Sequence, residues 1–205
     1  MPLEKYRQKR DFKVSPEPKG KAVPKHQSKL LYVIQKHRAS HLHYDFRLEW
    51  NGVLLSWAIP KGPSLDPAVK RLAMQVEDHP VDYGGFEGVI PAGEYGGGTV
   101  MLWDRGTWTP EDADVDQALK KGSLKFSLKG KKLRGSWALV RTNSYGGARR
   151  NAWLLIKHGD AFASPKDITV ERPRSVSSRR LLAQIARDGG GDVQQASTGD
   201  PPKAK

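Results

Sequence analysis

The stretch HRASHLHYDFRLEW, residues 37–50, decides the fold of this chain. From position 41 onward every second residue is ionisable, and the residues between them are apolar. The ionisable set is His41, His43, Asp45, Arg47 and Glu49, and the apolar set is Leu42, Tyr44, Phe46, Leu48 and Trp50. Because successive side chains of a β-strand point to opposite faces, the pattern predicts a strand with one polar and one apolar face.

Strand patterns continue on both sides of this stretch. Residues 30–37, LLYVIQKH, form a short apolar run that ends in a histidine. Asn51-Gly52 predicts a tight hairpin, because both residues tolerate positive φ, and residues 53–59 supply the returning strand. Counted to residue 157, the chain contains about eight strands with short connections. We therefore predict an all-β fold, a compact antiparallel β-barrel with one or two short helices.

Three segments interrupt the strand pattern. Residues 104–106, Asp-Arg-Gly, predict a turn between two short strands. Residues 112–121 predict a short helix, with acidic residues at its start, two lysines at its end and Gly122 after it. Residues 178–187 predict one basic amphipathic helix.

Length and composition favour one domain with basic ends. The chain has 205 residues, of which 37% are hydrophobic, enough for one core. We divide it into a basic, proline-containing N-terminal arm (1–27), a barrel domain (28–172) and a linker-like C-terminal tail (173–205). Prolines at positions 16, 18 and 24 predict an extended arm without a helix, and composition alone favours solvated disorder there.

Charge and cysteine content narrow the function classes. The net charge of +13 favours a polyanionic partner, with nucleic acid ahead of an anionic membrane. The absence of cysteine excludes disulfides and thiolate zinc sites. No apolar run approaches the roughly 20 residues that span a bilayer, and the N-terminus lacks a signal-peptide core. A cytoplasmic protein without membrane association is expected.

The polar residues of the central stretch form a candidate site. His37, His43 and Asp45 together offer two imidazoles and one carboxylate, a common open metal site. Arg47 shares the strand face, and its guanidinium suits bidentate contact with a phosphate. His79 is the next candidate, as a phosphate ligand or a proton donor.

Competing interpretations remain for these residues. They could be the exposed polar face of a half-solvated strand, and His41 and Glu49 are expected to be bystanders. An iron oxygenase with two histidines and one carboxylate is the rival enzyme class. The oxygenase hypothesis accounts neither for the basic charge nor for Arg47, so phosphoester chemistry is favoured.

The sequence resembles a known family over roughly residues 5–172. QKHRASHLHYDFRLEWNGVLLSWAIPKGPSLDP (35–67) and VEDHPVDYGGFEGVIPAGEYGGGTV (76–100) resemble the 3′-phosphoesterase domain of bacterial ATP-dependent DNA ligase D. KYRQKRDFKVSPEP (5–18) and WLLIKHGD (153–160) are similar to further parts of that domain. The resemblance implies a compact β-barrel with manganese-dependent activity in non-homologous end joining. Such a domain trims a 3′-terminal ribonucleotide to a 3′-phosphate and then removes the phosphate to leave a 3′-hydroxyl.

The resemblance also implies a role for each matching residue. His37, His43 and Asp45 would bind Mn²⁺, with Co²⁺ or Zn²⁺ as substitutes, and Arg47 and His79 would contact the scissile phosphate. The matches outside this central set are Lys61 and Arg71 for the phosphatase step, Tyr83 near the site, and Arg10, Asp11 and Glu17 in an arm that supports activity. The last three oppose the disorder that composition suggests for the arm, and they imply that the arm packs near the site.

Partners and context follow from the same resemblance. The expected substrate is a primer–template DNA or DNA–RNA 3′ end, with ligase and polymerase modules and Ku as partners of a monomer. The expected location is the cytoplasm of a bacterium or archaeon, associated with the nucleoid. A non-catalytic basic module that binds DNA ends remains the alternative. The sequence leaves open whether the chain is an excised domain or a stand-alone relative.

Overall fold

The computed structural model describes residues 3–21, 29–142 and 151–202. Within these ranges ten strands pair antiparallel in one sheet. They are β1 (Leu30–Arg38), β2 (Leu42–Trp50), β3 (Val53–Ile59), β4 (Lys70–Gln75), β5 (His79–Pro80), β6 (Gly88–Ile90), β7 (Gly98–Pro110), β8 (Ser123–Gly130), β9 (Arg134–Arg141) and β10 (Ala152–Lys157). The helices are α1 (Glu4–Gln8), α2 (Val115–Lys121), α3 (Ile168–Glu171), α4 (Leu182–Asp188) and α5 (Val193–Ser197), with a 3₁₀ turn at Val81–Gly85.

Eight of these strands close into a barrel. Their order is β1-β2-β3-β4-β10-β9-β8-β7, and β7 pairs back with β1. The short strands β5 and β6 attach to β3 and β7 outside this ring. Closure leaves the ring without free edges, and the predicted all-β antiparallel barrel is confirmed. None of the helices in the described ranges has the length and apolar character needed to cross a membrane.

The central stretch folds as its alternation predicts. Asn51 and Gly52 join β2 to β3 with φ angles of 50° and 81°, as the hairpin prediction requires. The apolar side chains of β2 point into the barrel, where Phe46 packs between Trp57 and Phe126 at ring distances of 6.2 and 5.8 Å. Burial of each large apolar side chain contributes roughly 1.5–3 kcal/mol, so this face anchors β2 in the core.

The predicted turn in the middle of β7 is wrong. The strand continues through Asp104 and Gly106, with a shift of register between Ile34 and Gln35 of β1. The carboxylate of Asp104 is buried and accepts hydrogen bonds from the Tyr32 hydroxyl and the backbone of Lys132 and Leu133. A Cβ on Gly106 would lie 2.1 Å from the Lys129 carbonyl oxygen, so the glycine permits close strand packing.

The N-terminal arm contains a helix that the sequence did not predict. One turn, α1, precedes the prolines, so nothing in it opposes helical geometry. Tyr6 of this turn is fully buried, and its hydroxyl donates a hydrogen bond of 2.6 Å to the Pro18 carbonyl. The extended conformation predicted for the arm is therefore wrong at Glu4–Gln8, while residues 22–28 of the arm lie outside the described ranges.

The C-terminal segment also differs from its prediction. The helix predicted over residues 178–187 begins only at Leu182, after Arg179 with a φ of 62°. Leu182, Ile185 and Ala196 are buried in the main core, and Asp200 accepts hydrogen bonds from the start of α4. Residues 182–200 thus pack as part of the barrel and do not form a linker, because their apolar side chains find core surface there. The domain boundaries themselves stay a prediction.

Candidate metal and phosphate site

The polar face of β2 lies on the outside of the barrel, next to polar residues of both neighbouring strands. His43 is paired with His37 of β1, Asp45 with Gln35, and Arg47 with Ser56 of β3. Side chains directly opposite each other across an antiparallel pair lie within contact distance. From Asp45 to Glu49 this face is nevertheless buried, with Arg47 only 2% exposed. The interpretation as a half-solvated strand face is therefore wrong.

The register brings the three predicted metal ligands together. The rings of His37 and His43 lie 4.8 Å apart between centroids. The Asp45 carboxylate lies between them, 3.7 Å from His37 Nδ1 and 3.7 Å from His43 Nε2. One ligand atom from each of the three residues lies within 4.8 Å of the others. A cation at their centre is thus within reach of two nitrogens and a carboxylate oxygen.

One ring nitrogen of each imidazole is available for ligation. His43 donates from Nδ1 to the His41 carbonyl oxygen at 3.0 Å, which leaves the Nε2 lone pair facing Asp45. Burial, opposed by the attraction of Asp45, lowers the pKa of His43 and favours the neutral ligand form. The Nε2 atom of His37 is buried without a hydrogen-bond partner within the described residues. These features fit a bound divalent ion.

Arg47 is held rigidly beside the ligands. Its guanidinium donates to Gln35 Oε1 and Ser56 Oγ, both at 2.8 Å, and pairs with Asp45 Oδ2 at 3.2 Å. Burial alone would raise the pKa of Asp45, but Arg47 and the two imidazoles outweigh it and hold that pKa well below its usual range. Asp45 is therefore an anion at neutral pH, as a metal ligand must be.

His79 lies on the other side of Arg47 from the metal ligands. His79 is paired with Leu54 of β3, and its Nδ1 donates to the Glu77 carbonyl oxygen at 2.9 Å. Its Nε2 accepts from Arg10 at 3.3 Å. Burial, with the nearby charges of Arg47 and Arg10, lowers the pKa of His79 well below its usual value. The imidazole is therefore neutral at neutral pH.

The N-terminal arm covers this part of the face. Arg10 pairs with the buried Glu17 at 2.9 Å and with Glu77 at 3.5 Å. Tyr6 packs edge-on against His79 at 5.1 Å. The arm residue Asp11 is exposed and instead accepts a hydrogen bond from the Lys13 backbone, so the structure does not bring its side chain into the site.

A cavity of about 250 Å³ opens onto these groups. Tyr83 forms one wall, with the Arg47 guanidinium 5.0 Å from its ring centre. Burial raises the pKa of Tyr83 well above its usual value, so the ring keeps its hydroxyl proton. Tyr95 and Gly96, from the glycine-rich segment 91–98, line the open side. The volume suits a phosphate group with part of a sugar.

Lys61 and Arg71 line the same cleft, which is separate from the cavity at the metal ligands. This cleft has a volume of about 210 Å³ and is also lined by neighbouring residues of β4 and β10. Neither lies in the wall of the cavity at the metal ligands, although Ala58, three residues before Lys61, does. Their assignment to the phosphatase step stays a prediction.

The structure adds residues that sequence reasoning missed. Gln35 donates to the carbonyl oxygens of Tyr83 and Phe86 at 3.0 and 2.9 Å while it accepts from Arg47, so it ties the 3₁₀ turn to the site. Ser56 supports Arg47 from β3. Alternation on β1 would have found Gln35, since it lies two residues before His37 and hence on the same face.

The two expected bystanders differ in their surroundings. His41 is exposed, and its ring lies 3.3 Å from Ser40 Oγ. Glu49 is buried, 2% exposed, and its Oε2 accepts a hydrogen bond of 2.8 Å from the Leu31 backbone. Neither lines the cavity at the metal ligands. Glu49 holds β1 against β2 and is not a solvated neighbour.

Comparison with known proteins places this geometry in a family. Residues 35–141 match the family model described as the DNA Ligase D 3′-phosphoesterase domain. The match covers just over half of the chain and includes the three candidate metal ligands, Arg47 and His79.

Relatives in three bacteria are similar over longer stretches. The chain is 56% identical over 185 residues to the multifunctional non-homologous end joining protein LigD of Pseudomonas aeruginosa, covering 88% of this chain and 22% of that protein. It is 45% identical over 141 residues to LigD of Mycobacterium tuberculosis, covering 69% and 18% of the two chains, and 43% identical over 145 residues to LigD of Mycolicibacterium smegmatis, covering 68% and 19%. The chain thus spans about a fifth of the length of these curated relatives. It belongs to the DNA ligase D 3′-phosphoesterase domain family.

Proposed function

We propose that this protein is a manganese-dependent phosphoesterase that repairs DNA 3′ ends. Its substrates are primer–template ends that carry a 3′-terminal ribonucleotide or a 3′-phosphate, and its final product is a 3′-hydroxyl. The observation that carries the proposal is the convergence of His37, His43 and Asp45 within 4.8 Å, directly beside the Arg47 guanidinium. A cation site next to a fixed guanidinium suits a phosphoester.

The donor set supports a divalent metal of borderline character. Two imidazoles and one carboxylate accept Mn²⁺, and Co²⁺ and Zn²⁺ are alternatives. The buried, unpartnered Nε2 of His37 and the fixed tautomer of His43 fit this use. When bound, the ion would supply Lewis-acid polarisation of a phosphoryl oxygen.

Arg47 is the group that we assign to the phosphate. A guanidinium has five N–H donors, and three of them are engaged by Gln35, Ser56 and Asp45. One N–H on each terminal nitrogen remains for a phosphate oxygen. Because the engaged donors hold the plane in place, the free pair needs little reordering when the substrate arrives.

His79 is assigned to the same phosphate from the opposite side. Burial, together with the charges of Arg47 and Arg10, lowers the pKa of His79 and keeps it neutral in the free protein. A phosphate would offset these positive charges and favour the protonated imidazole, which could then donate to the departing oxygen. Arg10 and Glu17 keep the arm in place over this histidine.

Names of the relatives suggest the cellular setting. The relatives are described as multifunctional non-homologous end joining proteins, so we propose that this domain prepares broken DNA ends for ligation. Ligase and polymerase modules and Ku are its proposed partners. The charge of +13 supports DNA as the substrate.

The test is direct conversion of a defined end. A 5′-labelled primer with a 3′-phosphate, annealed to a template, is incubated with the protein and Mn²⁺ and separated on a denaturing gel. We expect a 3′-hydroxyl product, strong loss of rate in His43→Ala, and a normal rate in the matched control His41→Ala. Binding without any product would support the non-catalytic end-binding alternative, and an unchanged rate in His43→Ala would reject the site.

A further inference from the structure

A second cleft, of about 470 Å³, lies between the β8–β9 turn and residues 171–179. Its exposed cations are Lys131, Arg172, Arg174 and Arg179. Within the described ranges none of these four side chains forms an ion pair with a carboxylate. Glu171, the acidic residue of the cleft, pairs instead with Lys166 at 3.4 Å. The lining of the cleft therefore carries four exposed cations and one carboxylate, which is already paired.

The buried Lys132 fixes the wall from which the arginines project. Its ammonium group donates to the carbonyl oxygens of Arg172 and Arg174 at 2.7 and 2.6 Å and lies 4.1 Å from the Trp103 ring centre. Arg172 in turn donates to the Lys131 carbonyl oxygen at 3.0 Å. These bonds join the two sides of the cleft, so its shape is set before any ligand binds.

The loop that carries Arg179 is also held in one conformation. Ser175 Oγ accepts hydrogen bonds of 3.0 Å from the backbone of Ser177 and Ser178. Arg179 has a φ of 62°, which is unfavourable for a residue with a side chain. Arg174 donates to the Arg179 carbonyl oxygen at 3.2 Å. A strained backbone persists only where its surroundings hold it, and such positions concentrate at binding sites.

The cleft lies close to the metal site across two strands. Gln35 of the site faces Leu102 of β7, and the Leu102 carbonyl accepts a hydrogen bond of 2.9 Å from the Val176 backbone. The backbones of Gln35 and Val176 are thus about two strand spacings, roughly 10 Å, apart, a length comparable to about three base pairs at roughly 3.4 Å of helix axis each. On the same flank Glu87, next to the site residue Phe86, pairs with Arg180 at 3.5 Å.

We infer that this cleft binds the phosphodiester backbone of the substrate duplex, a few base pairs from the end that the metal site processes. The inference deepens the proposed function and rests on it. Guanidinium groups are well suited to phosphate oxygens, and backbone contacts of this kind fix the position of a protein on a duplex. The same cations could take up a small free phosphate, so the test separates a duplex from a free anion.

Salt dependence of binding measures these contacts directly. Binding of the full chain to a primer–template duplex is followed by fluorescence anisotropy in EDTA, where turnover does not interfere. The slope of log Kobs against log salt is negative, and each lost phosphate contact reduces its magnitude by about 0.9. We expect Arg174→Ala/Arg179→Ala to reduce the magnitude of the slope by about 2, whereas the charge-matched control Lys120→Ala/Lys121→Ala, on exposed positions of α2, should leave it unchanged.

A lysine variant distinguishes loss of charge from damage to the loop, and a competitor distinguishes a duplex from a free anion as the ligand. Arg174→Lys/Arg179→Lys should restore most of the slope, and failure to do so would show that the alanine variant acts through loop damage and overturn the inference. Inorganic phosphate at constant ionic strength should not displace the duplex, and efficient displacement would identify a small-anion site instead. Equal slopes for the wild type and the alanine variant would also overturn it. A protein without phosphoesterase activity would leave all these binding results readable, so the two proposals fail separately.

Discussion

The inner and outer faces of β2 share one backbone but depend on different parts of the chain. Tyr44, Phe46 and Leu48 point into the barrel and are buried by other strands of the ring. Asp45 and Arg47 point outward and are buried by segments outside the ring.

A single strand can therefore contribute to the core with one face and to the site with the other. Burial of the apolar face fixes the backbone of β2. The charged side chains of the polar face are therefore held in defined positions, which they would not keep if they were free in solvent. The outer face is covered by the arm and the segment from Glu77 to Tyr83, which leave the cavity open at the metal ligands. Substitutions on the inner face should therefore change stability, and those on the outer face should change chemistry.

The inner face gives the largest expected effect. Phe46→Ala removes a fully buried ring that packs on Trp57 and Phe126, so the free energy of unfolding should fall by about 3–5 kcal/mol. Urea denaturation followed by tryptophan fluorescence measures it. The apolar control Val170→Ala, at a side chain 58% exposed, should stay within about 0.5 kcal/mol of the wild type. A small loss in Phe46→Ala would contradict the central place of this face in the core.

A substitution on the outer face should lower the catalytic rate. Asp45→Asn keeps an acceptor oxygen for Arg47 but removes the anionic ligand, so the rate of phosphate release should fall by on the order of 10²–10³-fold. Affinity for Mn²⁺, measured by electron paramagnetic resonance, should fall with it. The control Glu49→Gln changes another buried acid on the same face and should retain a rate close to the wild type. Equal losses in both variants would argue for a general electrostatic effect.

The predictability of the two faces differs for a physical reason. The alternation of β2, the Asn51-Gly52 hairpin and the trio of His37, His43 and Asp45 depend on neighbours in sequence or on one strand register, and the sequence predicted all of them. The cover of the outer face depends on contacts such as that of Arg10 with His79, which are 69 positions apart. No local pattern encodes such a contact.

Other failures of prediction have the same origin. The turn expected near Gly106 was wrong because a glycine can serve close packing of strands as well as a bend, and only the neighbour strand decides. Gln35 and Ser56 are uncharged, so they gave no signal apart from alternation. The C-terminal residues looked like a linker because Gly189-Gly190-Gly191 and a mostly polar tail follow the short apolar run at 181–186.

A smaller effect on catalysis is expected for a residue that only supports a side chain of the outer face. Ser56→Ala removes the oxygen that accepts a 2.8 Å hydrogen bond from Arg47. Loss of such a supporting bond should reduce kcat by about tenfold, while the melting temperature changes little. Ser136→Ala on β9, which removes a hydroxyl bonded to Glu111 at 3.0 Å, is the matched control and should retain kcat. A normal kcat in Ser56→Ala would show that Gln35 and Asp45 suffice to position the guanidinium.

The smallest effect concerns an acid that the outer cover buries without compensation. Glu77 is paired with Lys9 and Arg10, and these contacts, against the effect of burial, lower its pKa. Among the described residues no cation pairs with its neighbour Asp78, and burial, with the charge of Glu77, raises the pKa of Asp78 to about 6. Between the unfolded pKa of 3.8 and about 6 the folded state binds more protons than the unfolded state, so stability falls as the pH rises through this window.

Asp78→Asn should remove that penalty. The variant should gain on the order of 1 kcal/mol above pH 6, less than the full shift implies because the side chain is partly exposed to solvent, and the gain should vanish below pH 4. Urea denaturation at pH 4, 6 and 8 measures it. Glu94→Gln, on the turn between Pro91 and Gly97, removes the same charge and is the control for a general effect of net charge on stability. A gain of equal size at pH 4 and pH 8 would mean that the amide stabilises by packing, and that the cover over the outer face leaves the acid accessible to water.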